Sequence, residues 1–184
     1  MKPVSLDWCG QDALIVAKEL LGKVIEYNGC SGMIVETEAY KRDPASHAYK
    51  ITPRSEIMLK THGRWYVYFV YGMYFCINLT TNKNDVGAVL IRAIEPLEGI
   101  EIMKKRRRQS NIKDLCSGPG KLCHALNITK SLNDTPITGP IKLFQYKTVP
   151  KGNIGISGRV GIKEGTDLPW RFFIKNNDFI SRIK

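Results

Sequence analysis

The stretch Trp65-Tyr66-Val67-Tyr68-Phe69-Val70-Tyr71-Gly72-Met73-Tyr74-Phe75-Cys76-Ile77-Asn78-Leu79 constrains the fold more than any other part of the chain. Its residues are mostly β-branched or aromatic, types that suit a pleated, half-buried surface, and a single glycine interrupts them. The run predicts a β-hairpin with Tyr71 to Met73 at its tip.

The neighbouring segments supply partners for that hairpin. Leu14, Val16, Ala17, Leu20 and Leu21 recur at helical spacing, with Asp12 placed as an N-cap and Gly22 placed to end the helix. Residues 23–27 lead into Asn28-Gly29, a strong two-residue hairpin signal, and a second strand is expected from about Gly32 to Thr37. Residues 41–64 show no periodicity and contain Pro44, Pro53 and Gly63, so they form a long irregular segment of the kind that often carries function. Gly87 to Ile94 reads as a buried strand. Pro96 is expected to open a helix reaching Arg108, whose basic end, Lys104 to Arg108, complements a helix C-terminus. A short helix follows Pro119, from Gly120 to Leu126, and further strands are expected at 141–146, 159–162 and 170–174. Helices and antiparallel hairpins mix without βαβ alternation. The expected class is therefore α+β, one domain over residues 1–184 with a curved, mainly antiparallel sheet, flanking helices and a protruding β-hairpin.

Composition narrows the function. Lys and Arg number 28 against 17 Asp and Glu, a formal charge of +11, which creates a positive field attractive to polyanions. The N-terminus has no apolar signal-peptide core and no stretch of membrane-spanning length is present, so a cytoplasmic protein is expected. The five cysteines have no C-x-x-C spacing, which argues for reduced, mostly buried thiols rather than a disulfide framework or structural zinc. Cys116-Ser117-Gly118-Pro119-Gly120-Lys121 lacks the phosphate-loop spacing of a nucleoside triphosphatase, although Lys121 beside a helix N-terminus suits one backbone phosphate.

Five features carry chemistry. Glu36-Thr37-Glu38-Ala39-Tyr40 sets two carboxylates at i and i+2, on one face of a strand. Arg92 sits inside the apolar run Val89-Leu90-Ile91-Arg92-Ala93-Ile94, where a guanidinium needs an anionic partner; Glu36 and Glu38 are the candidates. Tyrosines and Trp65 crowd the region from Tyr40 to Tyr74, with His47 among them, and their flat polar-edged rings suit stacking of a nucleobase, a cationic one above all. The exposed tip Tyr71-Gly72-Met73 has the make-up of a wedge that enters a base step. Between residues 41 and 92, eight Lys or Arg stand against three Asp or Glu, enough to hold phosphates.

These words occur in order: Glu36-Thr37-Glu38-Ala39-Tyr40, Thr52-Pro53-Arg54, Tyr66-Val67-Tyr68 with Tyr71-Gly72-Met73-Tyr74-Phe75-Cys76 and Asn78, Arg92-Ala93 with Glu95-Pro96-Leu97-Glu98-Gly99, and Cys116-Ser117-Gly118-Pro119 through Lys121-Leu122-Cys123. Together they resemble the 3-methyladenine (alkyladenine) DNA glycosylase family, over about Asp12 to Arg182. The resemblance implies that Glu38 is the general base for water, with Arg92 and the backbone carbonyl of Val160 holding that water. It implies a base pocket of Tyr40, His47, Tyr68 and Asn78, with Asn78 clashing with the exocyclic amino group of guanine. Tyr71, with Met73 beside it, would fill the gap left in the duplex, while Lys50, Thr52, Arg54 and Lys121 would meet the DNA backbone. The Tyr40 to His47 spacing is shorter here than in the mammalian members.

The implied reaction releases alkylated or deaminated purines from double-stranded DNA and leaves an abasic site. It uses no metal or organic cofactor, and a monomer with no required protein partner and no membrane contact is expected. Two other readings share the features: a catalytically silent lesion-binding protein, which the pairing of Glu38 with Arg92 disfavours, and an RNA-binding module, which the Tyr71 tip disfavours.

Overall fold

The computed structural model describes residues 1–181. The end of the resemblance at Arg182 and the last three residues of the expected 1–184 domain lie outside the described residues. In chain order the elements are α1 (Leu6–Cys9), α2 (Ala13–Leu20), β1 (Val24–Tyr27), β2 (Cys30–Tyr40), α3 (Ile57–Lys60), β3 (Arg64–Val70), β4 (Tyr74–Thr80) and β5 (Ala88–Glu98). There follow α4 (Ile100–Arg107), α5 (Ile112–Leu115), α6 (Pro119–Leu126), β6 (Thr135–Pro136), β7 (Lys142–Phe144), β8 (Ile154–Ser157) and β9 (Arg171–Ile174).

The strands form one open sheet in the order β6-β3-β4-β5-β2-β1-β7, and β9 joins β2 while pairing β8 on its other side. Every described pairing is antiparallel. The class is α+β, as the mixture of helical and hairpin patterns implied. No helix among the described residues is long and apolar enough to cross a membrane.

Local chemistry explains the elements that were foreseen. Asp12 caps α2 by accepting the Leu14 N–H at 2.8 Å. Asn28 and Gly29 take φ of 53° and 73°, the two positive values a tight hairpin turn requires. Odd-numbered residues of the central strands, among them Val67, Ile77, Leu79, Val89 and Ile91, point to the side carrying α2 and α6 and build the main core with Leu20, Leu122 and Leu126. Thr37, on the same side, donates its hydroxyl to the Ala17 carbonyl at 2.8 Å and fastens α2 to the middle of the sheet. All five cysteines are free and buried.

Three expectations are corrected. Pro96 does not open a helix: β5 runs through it to Glu98, and Pro96 pairs with Gly32 where the register shifts, so its missing N–H is tolerated. The helix begins instead after Gly99, whose φ of 71° and contact with Gly29 and Cys30 leave no room for a Cβ. Residues 159–162 form no strand; β8 lies earlier, at Ile154–Ser157, and the segment after it loops over the sheet with Gly161 at φ 75°. The second strand is also longer than expected, Cys30–Tyr40 rather than 32–37, because β1 pairs it from Cys30 and β5 pairs it on to Tyr40.

Part of the basic run on α4 is structural. Arg106 donates to the Ala125 carbonyl at 2.9 Å and Arg107 to that of Leu115 at 3.2 Å, so each satisfies a helix-end carbonyl. Lys105 and Arg108 remain exposed.

Candidate active site

The register brings even-numbered side chains of four neighbouring strands onto the face away from α2. Tyr66 on β3 pairs with Asn78 on β4, Asn78 with Leu90 on β5, Leu90 with Glu38 on β2, and Glu38 with Arg171 on β9. Tyr68 and Cys76 form the next row. Tyr66, Asn78, Leu90, Tyr68 and Cys76, with Tyr40 and Arg92, floor a cleft of about 540 Å³ whose walls include His47, Pro119, Gly120 and the loop Val160 to Glu164, while Glu38 is buried behind Tyr40, Arg92 and Val160.

Glu38 and Arg92 meet because the strands are bulged. Between Ile34↔Ile94 and Glu36↔Ala93 the ladder skips Val35 on β2, and between Glu36↔Ala93 and Thr37↔Ile91 it skips Arg92 on β5. Bulges re-aim side chains, and this pair turns Arg92 between the two glutamates. Its Nε donates to Glu36 Oε1 at 3.0 Å, and its Nη1 lies 3.2 Å from Glu38 Oε1. The guanidinium thus has both of the partners proposed for it.

Glu38 has no exposed surface. Its Oε1 accepts the Val160 N–H at 2.7 Å and its Oε2 accepts the Tyr40 hydroxyl at 2.8 Å. Val160 therefore touches the carboxylate through its N–H. Burial raises the Glu38 pKa, offset only in part by Arg92, the Val160 N–H and Tyr40. Glu36 is also buried, yet its pKa is lowered, because Arg92, Arg171 and Ser181 outweigh the cost of burial. One strand face thus carries two carboxylates whose environments push their proton affinities in opposite directions.

The aromatic walls are ordered by mutual contacts. His47 is exposed as a residue, but its Nδ1 lies 2.9 Å from the Tyr66 hydroxyl and its ring stands edge-on to Tyr68 at 4.5 Å. Asn78 is 3% exposed and its amide nitrogen donates to the Tyr66 carbonyl at 3.1 Å, which fixes the orientation of the side chain toward the cleft. Tyr66, absent from the expected site residues, links His47 and Tyr68; the signal for it was its two-residue spacing from Tyr68.

At the rim, Tyr71 is 75% and Met73 64% exposed, and Tyr71 holds a φ of 53°. That left-handed backbone is strained for a non-glycine residue. Lys50, Thr52 and Arg54 are exposed on the segment before α3. Thr52 also exchanges hydrogen bonds with Ser55, and Arg54 lies over the Tyr68 ring at 5.1 Å. Lys121 stands across the cleft on α6, next to Pro119 and Gly120, and reaches the Ser117 hydroxyl at 3.1 Å.

Sequence reasoning missed a second buried pair. Arg159 donates to Asp43 Oδ1 at 2.6 Å and to the Ala39 carbonyl at 3.2 Å. Its guanidinium lies between the rings of Tyr40, at 4.8 Å, and Trp170, at 5.1 Å. This residue anchors the loop that presents the Val160 N–H and backs the Tyr40 ring.

Residues 7–178 match the family described as methylpurine-DNA glycosylase (MPG). The chain is 46% identical over 181 residues to a protein of Carboxydothermus hydrogenoformans, covering 94% of this chain and 95% of that one. It is 44% identical to a protein of Agrobacterium fabrum, covering 94% and 89%. With a protein of Desulfitobacterium hafniense the identity is 42%, covering 98% and 99%. Each of the three bears the name "Putative 3-methyladenine DNA glycosylase". With its family description matched over nearly the whole described chain, the protein belongs to the methylpurine-DNA glycosylase family.

Proposed function

We propose that this protein removes alkylated or deaminated purines from double-stranded DNA by hydrolysing the N-glycosidic bond, leaving an abasic site. The observation that carries the reading is the buried Glu38 carboxylate, held by Arg92, Tyr40 and the Val160 N–H beneath a tyrosine-walled cleft. A damaged purine turned out of the duplex stacks against Tyr40, His47 and Tyr68, and Asn78 rejects the amino group of guanine. Departure of the base builds positive charge at the sugar, which a carboxylate stabilises while it takes a proton from the attacking water. A carboxylate has about four acceptor positions. Three are taken by the contacts above, and one is left on Oε2. Lys41, the nearest amine in sequence, is held by Asp12 at 2.6 Å, which favours hydrolysis over attack by a protein amine.

The enzyme acts as a cytoplasmic monomer with no required protein partner. Lys50, Thr52, Arg54 and Lys121 flank the cleft and take backbone phosphates. The test is a single-turnover assay on duplexes carrying hypoxanthine, 3-methyladenine, 7-methylguanine or ethenoadenine, scored for alkali-labile sites. At least one lesion should yield them; none with any lesion would overturn the reading and favour a silent lesion-binding protein.

Tyr71 and Met73 are assigned to the space vacated by the flipped nucleotide. Asn tolerates positive φ, so Tyr71→Asn should leave thermal stability unchanged or slightly raised. Aromatic stacking on a base is worth about 1–3 kcal/mol, so affinity for lesion duplex should fall roughly tenfold. Unaltered affinity, together with an unaltered signal from a fluorescent base placed to report flipping, would remove the wedge role.

A further inference from the structure

Glu36 does not touch the cleft; it faces Arg92 on one side and Ser181 on the other. Its Oε1 accepts from Arg92 Nε at 3.0 Å, Arg171 Nε at 2.7 Å and the Ser181 hydroxyl at 2.7 Å, and its Oε2 accepts the Ser181 N–H at 2.6 Å. The Ser181 hydroxyl also accepts from Arg92 Nη2 at 3.4 Å, so a single oxygen touches both members of the pair. Arg171 is fixed in turn by donating to the Ser157 hydroxyl at 2.9 Å. Phe179 and Ile180 pack with Val24, Met33, Val35 and Ala93, which seats the segment independently of the serine.

We infer that Ser181, with Arg171, is a positioning residue for catalysis: through Glu36 it sets the orientation of Arg92 and hence the support that Arg92 gives Glu38. The physical reason is competition. One guanidinium is divided between two carboxylates, and every other donor on Glu36 lowers that carboxylate's demand on Arg92. Removing the serine hydroxyl takes away a donor to Glu36 and a contact to Arg92, so Arg92 is drawn toward Glu36 and away from Glu38. Glu38 then holds its proton to higher pH. The other groups that bear on Glu38 are Glu36, the Tyr40 hydroxyl, and Tyr68 and Cys76 of the next row, and the substitution leaves all of them in place.

The inference rests on Glu38 acting as the base, and the test separates the two ideas. Single-turnover excision of hypoxanthine is measured against pH for the full-length wild type, Ser181→Ala, Ser181→Thr and Glu38→Gln, with thermal melts alongside. Ser181→Ala should lose roughly tenfold in rate on the acid side, the factor expected for one hydrogen bond to a charged group. The loss should shrink as pH rises, with lesion-duplex affinity unchanged, and Ser181→Thr, which keeps the hydroxyl, should restore the wild-type profile. A loss equal at every pH, or one that tracks a lowered melting temperature, or no loss at all, overturns the positioning role while inactive Glu38→Gln leaves the proposed function standing. Full activity of Glu38→Gln overturns that function itself.

Discussion

Replacing Glu38 by Gln is expected to lower single-turnover release of hypoxanthine from duplex DNA by about 10²–10⁴-fold, the contribution usual for a positioned general base. Glutamine fills the same volume, and its carbonyl oxygen still accepts the Val160 N–H that Glu38 accepts at 2.7 Å. It supplies neither the negative charge nor the proton acceptor. Arg92 retains Glu36 at 3.0 Å, so no guanidinium is stranded and the fold survives. Binding of lesion duplex should therefore persist, measurable by mobility shift or anisotropy. The wild-type rate should also fall on the acid side of a value above the ordinary carboxylate range, because burial raises the Glu38 pKa and only the ionised form accepts the proton. Wild-type excision by the Gln variant would place the base elsewhere, with Glu36 the next carboxylate to try.

The second large effect is on stability. Asp43→Ala should destabilise the protein by about 3–5 kcal/mol, the loss seen when one member of a buried ion pair is removed. The Arg159 and Asp43 side chains are 0% and 4% exposed, so the guanidinium cannot turn to water. Asp43 also accepts the Lys41 and Ala45 N–H groups at 3.1 and 3.0 Å, and its loss unties the irregular segment that leads to His47. For a chain of this size the melting temperature should drop by roughly 10 °C. The double variant Asp43→Ala with Arg159→Met should recover part of this, since it strands no charge. A single variant that melts within a degree or two of wild type would show that the pair contributes little.

Much of the site was legible because its residues announce a local conflict. Arg92 in an apolar strand demanded an anion, two glutamates at i and i+2 offered one, and the tyrosines were too many for ordinary packing. The turn at Asn28-Gly29 and the cap at Asp12 were legible for the same reason, since each depends on a few adjacent residues. Pro96 misled because proline is compatible both with opening a helix and with a register shift in a strand, and only the neighbour, Gly32, decides between them. Arg159 and Val160 lie more than a hundred residues from Asp43 and Glu38, and no periodicity links them.

The amino-acid sequence by itself determined the central hairpin strands, the alternation of faces along them and the chemical types available there, because these follow from period-two patterning and from local turn chemistry. Tertiary structure alone decided the register that lines up Tyr66, Asn78, Leu90 and Glu38 across four strands and the two bulges that swing Arg92 between the glutamates. It also decided the return of Ser181 to Glu36. Such contacts join residues distant in sequence, and what selects them is the burial and charge pairing of the whole sheet.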